Sequence, residues 1–328
     1  MLQFNTKHFL TGEELSQGEL LALLQTAESL KQNRANEGRQ VLDGKSIALI
    51  FEKPSLRTRL SFTVGIQEMG GQVVELAGSQ KKNEEPEDAI RVLQGMVHGV
   101  MLRTFEHSIL ERMVSKAKIP VINGLSDSHH PCQALADLQT LLQRFGRLQG
   151  LKVAYIGDGN NVLHSLLLLA PYVGVDVHYS CPEGYQPDPE ILARAEVRAK
   201  EGGAQIRFFQ SPQEAVQDVD AIYTDVWTSM GYEDENAVRV KVFANYQINQ
   251  DLLQRANKNA IVLHCLPMNK GQEIAAEIVE LPASALFEQA ENRLHAQKAL
   301  MMGLYNDCER IQIAIECTKE TSVDRKNV

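Results

Sequence analysis

Residues 47–60 read IALIFEKPSLRTRL. The apolar run Ile47–Phe51 has the look of a strand, and Pro54 stops it. Ser55 is a good helix N-cap, and Leu60, Phe62, Ile66 and Met69 suit the buried face of a helix ending at Gly70-Gly71. A strand feeding a helix is half of a βα unit. Ser55, Leu56, Arg57 and Thr58 then occupy a helix N-terminus, where free backbone N–H groups and the positive dipole end favour an anion. Two hydroxyls and a guanidinium add charge-assisted hydrogen bonds. Leu56 does not spoil such a cradle, because a backbone N–H donates whatever its side chain is. Taken alone, a capped helix with exposed arginines explains the stretch equally well.

The pattern repeats along the chain. Further β-type runs lie near Gln72–Leu76, Gly99–Arg103 and Pro120–Ile122, then near Lys152–Ile156, Val175–Ser180, Gln205–Phe209, Ala221–Thr224 and Ala260–His264, with helix-length stretches between them. Two successive sets of βα units predict an α/β protein of two doubly wound parallel-sheet domains. Pro131–Phe145 carries Ala134, Leu138 and Leu141 at helical spacing and runs into the turn-rich GRLQG. It is the expected bridging helix. The stretch Glu291–Glu316 is again helical, and this C-terminal helix is expected to return to the first domain. The domains are thus read as 1–147 and 148–294, with 295–328 packing back on the first.

Bulk properties narrow the function. A chain of 328 residues with 44% hydrophobic and 23% charged residues has material for a sizeable core. Its net charge of −9 suits neither a nucleic-acid partner nor an anionic membrane. The five cysteines, at 132, 181, 265, 308 and 317, are odd in number and show no CxxC spacing, against a disulfide framework or a zinc site. MLQFNTKHFL has no signal-like apolar core, and no apolar run nears bilayer length, so a cytoplasmic protein is expected.

PSLRTR resembles the P-S-T-R-T-R phosphate-binding motif of the aspartate/ornithine carbamoyltransferase family, with Leu56 where threonine is commoner. The other constellations fall in that family's order. Arg103 ends a strand, and the resemblance implies that it holds the carbonyl oxygen of carbamoyl phosphate; alone it reads as a surface arginine. HHPCQALADL (129–138) resembles the family's H-P-x-Q, with His130 donating to a developing oxyanion and Gln133 bonding an NH₂ group. Cys132 reads as packing. YIGDGNNVLHS (155–165) tempts a dinucleotide reading, but Val162 stands where the third glycine belongs. It resembles the family's GD-x-NN segment, which implies that Asn161 binds the amino acid's carboxylate. Asp225 suits an α-ammonium, and D-x-x-x-S-M-G, with Ser229 and Met230, resembles the ornithine-using members. The polar stretch from Ser229 to Gln247 reads as a long functional loop.

In HCLP (264–267), Cys265 is open to reading as nucleophile, metal ligand or packing; the resemblance places it and the Leu266 carbonyl at the reaction centre. MNKGQEI (268–274) departs from the family's arginine-containing run. Arg293 in QAENRLHAQKA (289–299) would reach back to carbamoyl phosphate. Gln80, in the charged stretch 79–88, would cross into a neighbouring subunit's site.

The resemblance implies transfer of the carbamoyl group of carbamoyl phosphate to the δ-amine of L-ornithine, giving citrulline and phosphate, with no metal or cofactor, in a homo-oligomer built on a trimer. Three alternatives remain: an N-acylornithine, putrescine or other amine as acceptor; a non-catalytic amino-acid or phosphate sensor; and a nucleotide-binding oxidoreductase.

Overall fold

A computed structural model of the chain describes residues 2–77, 84–228 and 233–305. The first half runs α1 (Gln17–Gln32), β1 (Ser46–Phe51), α2 (Leu56–Glu68), β2 (Gln72–Ala77), α3 (Pro86–Leu93), β3 (Gly99–Arg103), α4 (His107–Val114), β4 (Val121–Leu125) and α5 (Pro131–Phe145). The second runs β5 (Lys152–Ile156), α6 (Asn161–Leu169), β6 (Asp176–Ser180), α7 (Pro189–Gly202), β7 (Ile206–Phe208), α8 (Pro212–Ala215), β8 (Ala221–Thr224), α9 (Asn236–Val242), α10 (Gln250–Arg255), β9 (Ile261–His264) and α11 (Leu286–Tyr305). One sheet has the order β2-β1-β3-β4 and the other β7-β6-β5-β8-β9, with every paired strand parallel. This is the expected α/β architecture of two parallel sheets. All the expected strands are present. The one at Pro120–Ile122 runs on to Leu125, because Leu125 pairs with Arg103 across a bulge.

Strand order positions the site. Strand order reverses between β1 and β3 in one sheet and between β5 and β8 in the other, and α/β sheets bind ligands beyond the C-terminal ends of strands at such points. Register then sets the neighbours. Phe51 pairs with Arg103, so the loop entering α2 leaves its strand beside that arginine. Thr224 pairs with His264, so Asp225 and Cys265 emerge side by side.

Helix α5 links the halves, packing on β4 and on α6. One apolar cluster runs from Phe62 and Ile66 through Leu135, Leu138 and Leu141 to Tyr155 and Leu166. Helix α11 packs on α5, α1 and α2, the expected return to the first half. Its Lys298, fully buried, donates to Glu68 at the end of α2 (2.9 Å). Among the described residues, no helix is long and apolar enough to cross a membrane.

Two local expectations change. Leu60 is exposed, whereas Phe62, Ile66 and Met69 are buried. At about 100° per residue Leu60 points roughly 200° away from Phe62, on the side of Leu56, also exposed. The stretch read as a loop up to Gln247 contains α9 and two 3-10 turns, Glu233–Glu235 and Ala244–Tyr246. Burial of Phe243 and Arg239 gives these polar residues a fixed seat that their composition conceals.

Candidate active site

A cleft of about 1110 Å³ opens between the strand ends of the two sheets. Ser55, Leu56, Arg57, Thr58, Arg103, His130 and Arg293 line it on one side, and Asn161, Asp225, Cys265 and Leu266 on the other. Gln133 stands behind the first wall, bonded to Arg293. Gln80, Ser229 and Met230 lie outside the described residues.

The first wall is cationic. Ser55 is the N-cap of α2, but its hydroxyl makes no capping bond, so the helix's leading N–H groups are not closed off by that side chain. Arg57, Arg103 and Arg293 are close enough to disfavour one another's charge. Burial, with Arg293 and Arg57 nearby, pushes Arg103 down to about 10. Burial and, further down the order, Arg57 also lower Arg293. A multiply charged anion would relieve this mutual repulsion. Arg293 is fully engaged. Its Nη1 donates to Gln133 Oε1 (2.8 Å) and faces His130 Nε2 (3.4 Å), and its Nη2 donates to Thr58 Oγ1 (3.2 Å). The Gln297 amide oxygen, in the orientation that satisfies both amide groups, accepts from Nη2 and Nε.

His130 is held by its own backbone N–H, which donates to Ser165 Oγ (2.7 Å). Burial and the three guanidiniums hold its pKa well below the ordinary imidazole value, so the ring is neutral. An arginine N–H cannot accept, so Nε2 is the acceptor and Nδ1 carries the proton. Nδ1 is buried without a hydrogen-bond partner.

The second wall is built around Asp225. Its Oδ1 accepts from the Val226 N–H and from Cys265 Sγ, both at 2.8 Å, and its Oδ2 from Asn160 Nδ2 at 2.8 Å. A carboxylate has about four lone-pair directions, so one remains on Oδ2. Burial first, then the Asp225 carboxylate, raises the Cys265 thiol well above its ordinary range. Cys265 is therefore a protonated donor to Asp225, not a thiolate. Asn161, the first residue of α6, donates from Nδ2 to Ser126 O (2.6 Å).

Gly159 explains the GxG pattern. A Cβ there would lie 2.4 Å from the backbone at Gln186 and Pro187, so only glycine lets that strand of chain cross. The Gly159 N–H is spent on Tyr185 O (2.8 Å). The motif accommodates a backbone crossing, not a pyrophosphate. Asp225, His264 and Cys265 bring ligand-type atoms within 4.8 Å of one another. Both His264 ring nitrogens are occupied, Nδ1 by the Leu266 N–H (2.9 Å) and Nε2 by Glu273 Oε1 (3.0 Å). A metal would have to displace one of them.

Two segments of the chain match known family descriptions. Residues 7–143 match the "Aspartate/ornithine carbamoyltransferase, carbamoyl-P binding domain", and residues 149–304 the "Asp/Orn binding domain" of the same enzymes. The chain belongs to the aspartate/ornithine carbamoyltransferase family. Among carbamoyltransferases of this family, it is 46% identical over 293 residues to the ornithine carbamoyltransferase of Thermococcus kodakarensis, covering 88% of this chain and 93% of that one. Against the Bacillus cereus ornithine carbamoyltransferase it is 46% identical over 312 residues, covering 94% and 98%. The solved structure of the Pyrococcus furiosus ornithine carbamoyltransferase superposes with a TM-score of 0.89 at 40% identity, covering 93% of this chain and 99% of that one.

Within this carbamoyltransferase cleft, three features escaped the sequence reading. Asn160 caps α6, accepting from the Val162 and Leu163 N–H groups, while its amide braces Asp225. Its place one residue before Asn161, at a helix start, was the available signal. Arg239 donates to Asp158 Oδ2 (2.9 Å) and to Trp227 O (3.0 Å), pinning α9 to the cleft. In the divergent MNKGQEI, Glu273 is fully buried and accepts from the Asn269 N–H (2.5 Å) besides holding His264. Nothing local in the sequence marks either of these pairs.

Proposed function

We propose that the protein is an ornithine carbamoyltransferase, converting carbamoyl phosphate and L-ornithine to L-citrulline and phosphate. The observation that carries the reading is the opposition of the two walls. Three guanidiniums and a helix N-terminus face a carboxylate that keeps one free acceptor direction. The family membership and the ornithine-using relatives support it.

The phosphate of carbamoyl phosphate sits at the α2 N-terminus on Ser55, Arg57 and the N–H groups of Leu56 and Thr58. Arg103, Thr58 and His130 serve the carbamoyl oxygen, where negative charge develops when the neutral δ-amine attacks. Gln133 serves the carbamoyl NH₂, and the Leu266 carbonyl lines the same spot. Arg293 adds charge and holds Thr58, His130 and Gln133 in place. Asp225 takes the α-ammonium of ornithine and Asn161 the carboxylate, and Ser229 and Met230 are assigned to the same amino acid. Cys265 positions the amine. Collapse of the tetrahedral intermediate expels phosphate, which gains basicity as the C–O bond breaks and takes the amine's proton. No metal or cofactor enters this scheme. Bringing the two substrates together can supply up to roughly 7–11 kcal/mol of the barrier lowering.

Residues 1–147 serve carbamoyl phosphate and 148–294 ornithine, with 295–305 packing on the first part; residues 306–328 lie outside the described ones. The working unit is a trimer or a multiple of it, in the cytoplasm, with Gln80 entering a neighbour's site. Exposed Leu60 on α2, together with Val74 and Leu76 on the edge strand β2, supports association at that face.

The test is kcat/KM for L-ornithine, N-acetylornithine and putrescine at fixed carbamoyl phosphate. Ornithine is expected to lead. Acylation removes the charge that Asp225 pairs, and putrescine leaves the carboxylate-binding groups unpaired at about 1–3 kcal/mol each. Leu56→Thr is expected to leave this preference alone. A lead for either other amine overturns the substrate assignment, and no carbamoylated product from any of them favours a sensor.

A further inference from the structure

Behind the cleft, the polar contacts of both walls meet at a side chain with no part in the scheme above. Asp137 lies one turn beyond Gln133 on α5 and is fully buried. Its Oδ1 accepts from Gln133 Nε2 (2.8 Å) and from Gln289 Nε2 (2.6 Å). Each amide therefore turns its oxygen the other way. Gln133 Oε1 accepts from Arg293, which reaches Thr58 and His130. Gln289 Oε1 accepts from the His264 N–H (2.8 Å), one residue before Cys265. Helices α5 and α11 and the end of β9 are thus tied at one carboxylate.

We propose that Asp137 is a positioning residue that sets the direction of both glutamine amides, and so holds Arg293 and the strand end at Cys265 in one arrangement. Oδ1 suits this task because it accepts from both amides whether the acid is ionised or carries its proton on Oδ2. An amide or hydroxyl in its place can donate, letting a glutamine turn and set an NH₂ against the Arg293 guanidinium. The titratable groups facing Asp137 are Arg293 from α11, Tyr223 from β8 and Cys265 after β9. Burial raises Asp137 to about 7, opposed by the bonds from Gln289 and Gln133 and by the Arg293 charge.

The proposal rests on the ornithine reading for its assay. Asp137→Asn is expected to lower kcat/KM for carbamoyl phosphate by about tenfold or more. Two double variants return an acceptor-only group to the chain of bonds. Asp137→Asn with Gln289→Glu restores the pattern without altering a residue placed against substrate, and Asp137→Asn with Gln133→Glu restores it from the other side. The first is expected to recover most of the loss. A purely space-filling role for Asp137 predicts no such recovery. Asp137→Asn within twofold of wild type, or a loss that the Gln289→Glu double does not recover, overturns the proposal. If Asp137→Asn fails to fold, the double with Gln289→Glu decides alone: folded and active supports it, unfolded or inactive overturns it. If the unaltered protein makes no citrulline, the functional reading fails separately. Hydrogen exchange at the His264 amide then decides: faster in Asp137→Asn and slowed again by Gln289→Glu supports the proposal, and no change overturns it.

Discussion

Arg57 joins two facts at the residue scale: it is the second residue of α2, and burial lowers its pKa while the Asp225 carboxylate raises it. Arg57→Ala should cost about 1.5–3 kcal/mol of carbamoyl phosphate binding in the transition state, tenfold to a hundredfold in kcat/KM. Unchanged carbamoyl phosphate kinetics would remove the cradle assignment. Cys265 tests the other wall. Its thiol is a donor to Asp225, a role that a serine hydroxyl can fill. Cys265→Ser should weaken ornithine use and leave measurable turnover. A carbamoyl or phosphoryl adduct on Cys265, seen by mass spectrometry during turnover, would contradict this. The motif residues Ser55, Arg57, Arg103, His130 and Asp225 were legible in the sequence because each follows a strand or opens a helix. Asn160 was not, because its bond to Asp225 spans 65 residues of chain.

At the scale of elements, the turn from β4 to α5 meets α4 and α6 at a cluster of three histidines. His129 lies 4.8 Å from His107 and 6.4 Å from His164, ring to ring. Burial, then His107, His164 and Arg194, push His129 down to about 2. Burial likewise lowers His107 and His164. These pKa values are depressed in the fold relative to about 6.5 in the unfolded chain. Their stabilisation is therefore present above about pH 6.5 and is lost as pH falls toward the folded value. The urea midpoint should drop between about pH 7 and about pH 5, and His129→Gln should flatten that drop. A variant midpoint that follows wild type across this range would assign the acid sensitivity elsewhere. Strands were legible because short apolar runs bounded by turn residues are the signature of parallel sheets covered on both faces. Helix α9 was hidden, because its place depends on Arg239 meeting Asp158 across 81 residues.

For the whole molecule, the proposal that Gln80 enters a neighbour's site is tested by mixing subunits. Arg57→Ala and Gln80→Ala subunits, each impaired alone, should form some intact sites when mixed. Mixed oligomers without recovered activity would place the whole site within one chain. The sequence by itself determined the α/β class, the two sets of βα units, the bridging helix and the order of the motifs. All of these follow from local periodicity and from residue types at element ends. Only the tertiary structure decided which polar groups meet: Arg293 with Gln133 across 160 residues, Gln289 with Asp137 across 152, and Lys298 with Glu68 across 230. A polar side chain mid-helix reads as solvent-facing until a second helix buries it. Burial then requires a hydrogen-bonding partner, and packing, not spacing along the chain, chooses which one.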